Sequence, residues 1–445
     1  MLLNGSEILL ECLLEQGADT VFGYPGGAVL NIYDALYMYS DKIHHVITAH
    51  EQAACHAADG FARTTGKTGV VIATSGPGAT NLVTGIATAN MDSIPLVAIT
   101  GNVGTSALGL DSFQEVDICG ITMPVTKHNF IVKDVHDLAD TVRKAFYIAN
   151  EGRKGPVLID IPKDITAAKC EFTPKQPQKP VNHNPEDIGE RIAQAAELIK
   201  SSERPFIYAG GGVVSCSAEA ELTEFVKKLD APISLSLMGQ AAFNNKDPHF
   251  VGMLGMHGTK TAALSLKECD LMIVLGSRFS DRVALNTKTF AKHTKVLHVE
   301  IDPAEIGKNV APNCYVNGDL KYVLAELNKA LAQESHPEWM AQVEEWEKTY
   351  ALNMKPIHEA DEVLPCDVIR TLNALAGDNA IITTEVGQHQ MWTAQFYDFT
   401  HPRSFASSGG LGTMGYGLGA AIGAKVGNPD KYVINIAGDG SFFMN

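Results

Sequence analysis

The chain has 445 residues, 45% apolar and 19% charged, and a formal net charge of −16. That length is too great for one hydrophobic core and points to about three domains. The acidic balance argues against nucleic acid or an anionic membrane as a main partner, though not against small anions in a local pocket. The cysteines are scattered with no CxxC pair, which suits a reducing cytosol better than a disulfide framework or a zinc site. The opening MLLNGSEILLECLLEQ has no basic leader region and no small-residue cleavage site. It reads as an amphipathic helix from near Ser6, with Glu7 in its first turn. No apolar run reaches the length of a membrane span. A cytoplasmic protein of bacterial type is expected.

Residues 1–165 alternate short apolar runs with helical patterns. Strands are expected at Thr20–Phe22, His45–Thr48, Gly69–Thr74, Leu96–Thr100 and Val157–Ile161, and helices at Gln52–Thr64 and Asp137–Asn150. Such alternation predicts a parallel sheet covered by helices on both faces. The segment CEFTPKQPQKPVNHNPED crowds prolines and polar residues and reads as a linker. A second α/β unit follows, with strands at Pro205–Ala209, Pro232–Ser236, Leu271–Leu275 and Val296–Glu300. A charged helix at Glu338–Tyr350 leads to another linker near Pro356–Pro365. The third unit opens at Cys366, and its strands are expected only at Ala380–Thr384 and Val433–Ala437. Its opening, CDVIRTLNALAGDNAIITTEVGQHQ, echoes SEILLECLLEQGADTVFGYPGG, a weak internal repeat of helix, strand and glycine turn. The predicted fold class is α/β: three consecutive doubly wound parallel-sheet domains, the third incomplete. The expected bounds are 1–168, a linker at 169–187, 188–335, a helix and linker at 336–364, and 365–445.

In open α/β sheets, ligands gather at the carboxyl ends of the strands. In VITAHEQAACHAADG, Glu51 follows a strand and opens a helix among Ala53, Ala54 and Ala57. It is either a carboxylate suited to the positive end of a helix dipole or an acid that exchanges a proton with a ligand. Gly76-Pro77-Gly78 is a tight turn that also lets a backbone or ligand approach a helix N-terminus. Phe113, Gln114 and Glu115 fall in a loop, a weak signal taken alone.

The middle unit has glycine turns at successive junctions: Gly210–Gly212, Gly252–Thr259, Gly276–Arg282 and Glu300–Asn309. One such turn is a loop, whereas four resemble a nucleotide cradle, with Arg278, Arg282, Asp302 and Asp319 able to meet phosphate or ribose. In the third unit, GLGTMG (Gly410–Gly415) is a formal match to a dinucleotide fingerprint. Asp439, in the turn AGDGS, would then hold a ribose. It could equally hold Mg²⁺ against a diphosphate, because magnesium favours one or two carboxylates plus phosphate oxygens.

Taken in chain order, GYPGGA, AHEQAACHAADGFAR, TSGPGATN, MDSIPLVAITG, FQEVD, GPVLIDIPKD, GMLGMHGT, SRFSDRV, VGQHQMW, GGLGTMGYGLGAAIGA and GDGSF span the chain. Together they resemble the thiamine-diphosphate (ThDP) enzymes, and among them the acetohydroxyacid (acetolactate) synthase large-subunit family. GMLGMHGT with RFSDR resembles the flavin-containing synthases more than the flavin-free catabolic ones.

The resemblance implies decarboxylation of pyruvate and joining of its hydroxyethyl unit to a second 2-keto acid, pyruvate or 2-ketobutyrate. This is the first common step of branched-chain amino acid biosynthesis. It implies ThDP, Mg²⁺ and FAD as cofactors, the flavin taking no net redox part. By the same resemblance Glu51 would bond the pyrimidine N1′, Gln114 would reach the reacting centre, and Lys163 would lie near the substrate entrance. Phe113 would border the substrate methyl, and Arg282 would face the second substrate, where a guanidinium suits a carboxylate. Val386 and Met414 would pack on the cofactor, and the Gly412 backbone would meet the pyrimidine amine. Gly387, Gln388, His389, Gly440 and Ser441 would surround the diphosphate, and Asp439 would bind Mg²⁺. Arg153, Gly210, Gly212, Met256, His257, Gly258, Gly276, Arg278, Asp302 and Asp319 would bind FAD. The expected assembly is a homodimer or tetramer with sites between chains, joined by a small regulatory subunit.

The sequence departs from the family pattern at Gly419, where proline is usual, and at Cys55 and His56, where small or aromatic residues are commoner. Gly419 should loosen a helix start without touching a ligand. Cys55 and His56 are read as packing or solvent-facing. In the family a second metal ligand, an asparagine, lies well beyond the GDG turn. The chain therefore reads as C-terminally truncated, and this 445-residue form is expected to lack synthase activity alone. Acetolactate formation from pyruvate would contradict that expectation. The alternatives are another ThDP-dependent 2-keto acid decarboxylase, carboligase or oxidase, and a non-catalytic nucleotide-binding subunit. A dehydrogenase reading of GLGTMG ranks last.

Overall fold

A computed structural model describes residues 1–181, 184–287, 289–352 and 363–445. Most of the linker expected near Pro356–Pro365 lies outside the described residues. The chain divides into two compact units. One comprises Met1–Val181, Ile381–Val386 and Ala406–Asn445; the other comprises Asn182–Ala380 and Gly387–Phe405.

The first unit is built on a six-stranded sheet of β1 (Thr20–Gly23), β2 (His44–Ile47), β3 (Gly69–Ala73), β4 (Leu96–Asn102), β5 (His128–Ile131) and β6 (Pro156–Pro162). The order is β2-β1-β3-β4-β6-β5, with every neighbouring pair parallel. The runs VVIA, LVAIT and VLIDI are buried on both faces, as parallel strands under helices require. One face packs Leu9, Leu13, Val142 and Phe146 against Val70, Val97 and Val157. The other packs Ala54, Ala58 and Phe61 of α1 (Glu51–Thr65), and Ile86 of α2 (Val83–Asp92), against Val71, Ala73 and Ala98.

β5 was not expected from the sequence. HNFI is short and lies at the sheet edge, with His128 and Ile131 exposed and Asn129 and Phe130 half-buried, so it carries little apolar signal. Lys169–Glu171, inside the segment read as linker, pairs antiparallel with Leu2–Asn4; Cys170 is buried between Lys169 and Glu171, and Phe172 is buried just after them.

The same unit holds a three-stranded sheet of β13 (Ala380–Thr384), β14 (Phe405–Ala406) and β15 (Tyr432–Ile436), in the order β14-β13-β15. Helix α3 (Tyr416–Gly427) lies against α1, and small residues allow the close approach. A Cβ at Gly423 would overlap the Ala57 carbonyl oxygen, and one at Gly419 would stand 2.8 Å from His56 Cβ. Gly419 is thus a packing glycine within α3. Cys55 and His56 are both fully buried, so they pack rather than face solvent.

In the second unit β7 (Pro205–Ala209), β8 (Ile233–Leu235), β9 (Phe250–Met253), β10 (Leu271–Leu275), β11 (Lys295–Glu300) and β12 (Cys314–Asn317) form a parallel sheet ordered β9-β8-β7-β10-β11-β12. This is the dinucleotide-binding order, reversing between β7 and β10. β9 and β12 escape the sequence reading because they are edge strands of four residues with broken apolar runs.

Of residues 365–445, read as one domain, Ile381–Val386 and Ala406–Asn445 fall in the first unit, and 365–380 with 387–405 in the second. Helix Pro365–Ala376 and helix Gln388–Phe396 belong with the middle sheet, where the Phe399 carbonyl accepts from Asn245 N at 3.0 Å and Arg403 donates to the Val214 carbonyl at 2.8 Å.

Candidate active site

In the first unit the expected catalytic residues all stand just beyond the carboxyl ends of parallel strands. Glu51 is the first residue of α1, after β2. The helix starts there because His50 is extended and its Nδ1 accepts from Gln52 N at 3.1 Å. Gly76 follows β3 with φ +61°, and Pro77 opens the next short helix. Asn81, at the end of that helix, donates Nδ2 to Glu51 Oε2 at 2.9 Å. A Cβ at Gly78 would lie 3.1 Å from Glu51 Oε1, so glycine keeps the carboxylate accessible from that side.

Gln114 follows β4 in a loop and has a positive φ of 59°. The loop is fixed by Glu115, whose carboxylate accepts from the backbone N–H groups of Gly109 and Ser112 and is held below the usual carboxylate range by them. A Cβ at Gly76 would come within 3.0 Å of Gln114 Cα and Cβ. Glu51, the Gly76–Gly78 turn and Gln114 therefore share one corner. Phe113 is 89% exposed there. Lys163 opens the helix Lys163–Ala167 after β6 and is exposed. Arg153 donates Nε to Ser93 Oγ at 2.9 Å.

The segment Ser407–Gly415, which contains GLGTMG, belongs to the same unit. Gly412 has φ +72° and a Cβ there would meet only Val386, at 3.8 Å, while Met414 is 45% exposed. Asp439 follows β15 and is exposed, as is Gly440; Ser441 is buried. Among the described residues no group of three or more His, Cys, Asp or Glu side chains gathers to hold a metal.

In the second unit, three of the glycines converge where the strand order reverses. A Cβ on Gly210 would overlap the Gly276 carbonyl oxygen, and one on Gly212 would lie 2.7 Å from Gly276 Cα. Gly276 itself has φ +57°. A cleft of ≈550 Å³ opens beside the following turn, lined by Phe279, Asp281 and Asn309. Asp302 accepts from Ala304 N at 3.0 Å after β11, and Asp319 caps the helix Leu320–Ala330 through Tyr322 N at 2.9 Å. Met256 N donates to the Arg282 carbonyl at 2.8 Å, which joins the GMLGMHGT and RFSDR turns. The His257 carbonyl accepts from Gln395 at 2.8 Å, so helix Gln388–Phe396 meets the same turn. Gly387 caps that helix with φ +145°, followed by Gln388 and His389. Gly258 is half-buried, as is Arg278, whose carbonyl accepts from Asn309 Nδ2 at 3.3 Å.

Comparison with known proteins fits this geometry. Residues 3–121 match the family model for the thiamine pyrophosphate enzyme N-terminal TPP binding domain, 192–327 the central domain, and 385–445 the C-terminal TPP binding domain. The acetolactate synthase large subunit of Parasynechococcus marenigrum (strain WH8102) is 47% identical over 453 residues, covering 100% of this chain and 73% of its own length. The chain belongs to the acetolactate synthase large-subunit family of ThDP enzymes. The corresponding subunit of Cyanidium caldarium is 45% identical, with 99% of this chain and 77% of that protein aligned. A probable acetolactate synthase large subunit of Methanocaldococcus jannaschii is 47% identical, with 100% and 77% aligned. As a member of this family the chain is a ThDP-dependent carboligase. The comparisons lend no support to a non-catalytic nucleotide-binding subunit or to another ThDP enzyme. No helix among the described residues is long and apolar enough to cross a membrane.

Residue-by-residue reading missed Asn81, although it ends the quoted motif TSGPGATN. Its sequence signal was only an amide one helical turn beyond a glycine turn.

Proposed function

We propose the following division of labour for acetolactate synthesis, in which pyruvate loses CO₂ and its two-carbon unit joins a second 2-keto acid, pyruvate or 2-ketobutyrate. The carrying observation is the half-buried Glu51 carboxylate held by Asn81 beside the Gly78 turn and Gln114. When bound, ThDP supplies the electron sink for the carbanion that departing CO₂ leaves behind.

Glu51 would bond the pyrimidine N1′ when ThDP is bound, and its partly water-free setting would favour that contact. Gln114 orients the reacting group, Phe113 borders the substrate methyl, and Lys163 lines the approach. Arg282 pairs with the carboxylate of the second keto acid. Gly412 and Met414 meet the pyrimidine side, with Val386 behind them. Gly387, Gln388, His389, Gly440 and Ser441 surround the diphosphate, and the amino end of helix Gln388–Phe396 favours its charge. Asp439 is the protein carboxylate for Mg²⁺. FAD occupies the middle domain, where Gly210, Gly212 and Gly276 leave a close backbone approach at the strand-order reversal. Arg153, Met256, His257, Gly258, Arg278, Asp302 and Asp319 complete its surroundings. The active assembly is a homodimer or tetramer with a small regulatory subunit, in the cytoplasm.

The test is the product formed from pyruvate by the assembled enzyme, partner subunits included, with ThDP, Mg²⁺ and FAD present. Acetolactate supports the reading, and acetaldehyde alone would overturn it. Glu51→Gln is expected to lower the rate by about a hundredfold or more. Flavin absorbance that stays with the protein on gel filtration, and is lost in Gly276→Ala, supports the FAD site.

A further inference from the structure

Helices α1 and α2 carry buried polar side chains that the reaction does not use. Arg63 is 6% exposed and Asp59 fully buried; Arg63 bonds Asp59 through Nε at 2.5 Å and Asp92 through Nη2 at 2.9 Å. All three grip the chain that leads into α3 or the first residue of α3. Arg63 Nη1 donates to the Ser407 carbonyl at 2.8 Å. The Asp92 carboxylate accepts from Gly409 N at 3.1 Å and Gly410 N at 2.7 Å. Tyr416 donates its hydroxyl to Asp59 at 2.6 Å. Between these ends Thr88 Oγ1 lies 2.7 Å from Thr413 Oγ1. Thr88 also donates to the Thr84 carbonyl at 2.9 Å, so the hydrogen between the two hydroxyls comes from Thr413. Thr88 is fully buried and Thr413 is 7% exposed. Leu411 and Met414 project outward, 43% and 45% exposed.

We propose that Thr88 and Asp92 are positioning residues that strap the back of the Ser407–Gly415 loop and thereby set where Gly412 and Met414 meet the pyrimidine ring of ThDP. The inference rests on the cofactor reading above. Asp92 fixes the entering end through two backbone N–H groups, which a side chain at Gly410 could not allow: a Cβ there would lie 2.8 Å from Asp92 Oδ1. Thr88 fixes the leaving end through Thr413, the residue between Gly412 and Met414. A buried hydroxyl pair has a defined geometry, whereas an apolar pair of the same shape packs without specifying the loop's height.

The test measures ThDP binding by calorimetry at saturating Mg²⁺ for Thr88→Val, Thr88→Ser, Thr413→Val and the Thr88→Val/Thr413→Val pair, with thermal unfolding of the cofactor-free protein alongside. Each valine variant is expected to raise the ThDP dissociation constant about tenfold, the equivalent of one buried hydrogen bond. The pair should be no weaker than either single variant, and Thr88→Ser should bind like the unsubstituted protein. Dissociation constants within about twofold of the unsubstituted protein in both folded valine variants would overturn the strap. So would a loss in Thr88→Ser equal to that in Thr88→Val. Failure of the unsubstituted protein to bind ThDP would instead overturn the cofactor reading itself.

Discussion

Asn81 donates its side-chain amide to Glu51 Oε2 at 2.9 Å, across 30 residues of sequence. The bond is charge-assisted and holds a half-buried carboxylate at the amino end of α1. In the assembled enzyme Asn81→Ala is therefore expected to lower acetolactate formation by about tenfold, the worth of a hydrogen bond to a charged group. Thermal unfolding should move by only a few degrees, since Glu51 keeps access to water. A rate equal to that of the unsubstituted protein would show that Asn81 does not orient Glu51.

Asp160 sits at the carboxyl end of β6, 1% exposed, and accepts from Thr100 at 2.7 Å and Asn102 at 2.5 Å. Burial pushes its carboxyl up to about 6, although the two donors oppose the rise. A raised acid favours the folded state below its unfolded value and loses that contribution as pH climbs through about 6. Stability should fall by about 3 kcal/mol between pH 4 and pH 7 from this group alone. Urea unfolding across that range should show the slope, and Asp160→Asn should remove it.

His56 gives the opposite slope. Its ring is fully buried, packed edge-on against Tyr416 at 5.2 Å, and its Nδ1 finds no hydrogen-bond partner among the described residues. Burial first, then the charges of Arg63 and His50, push it down to about 3. A depressed histidine contributes stability above its unfolded value and loses it as the pH falls. About 2 kcal/mol should disappear between pH 6.5 and pH 5. His56→Phe fits the aromatic contact, needs no partner for Nδ1, and is expected to flatten this acid limb in the same unfolding series.

Gly423 and Gly189 differ in what surrounds them. A Cβ at Gly423 would overlap the Ala57 carbonyl and approach Phe61 N to 2.9 Å, whereas one at Gly189 meets nothing within 4 Å. Gly423→Ala should force α3 away from α1 and cost about 3 kcal/mol. Gly189→Ala, in the first turn of the helix Ile188–Lys200, should be neutral or stabilising by under about 1 kcal/mol. Equal unfolding temperatures for the two variants would refute the close contact.

Local pattern was sufficient for much of this protein. Gly69–Ala73, Leu96–Asn102 and Leu271–Leu275 are apolar runs buried on both sides, and their composition alone marks them as central parallel strands. The turns at Gly76, Gly276 and Gly387 were legible because a positive φ admits few residues other than glycine. The motifs in chain order were enough to reveal the family. Tertiary structure alone decided the edge strands His128–Ile131, Phe250–Met253 and Cys314–Asn317, which have one neighbour each and a weak apolar run. It also decided which polar side chains face each other. Asn81 selects Glu51, and Arg63 reaches Ser407 across 344 residues. A hydrogen bond depends on where two backbones arrive after folding, whereas periodicity and glycine punctuation are properties of a few neighbouring residues.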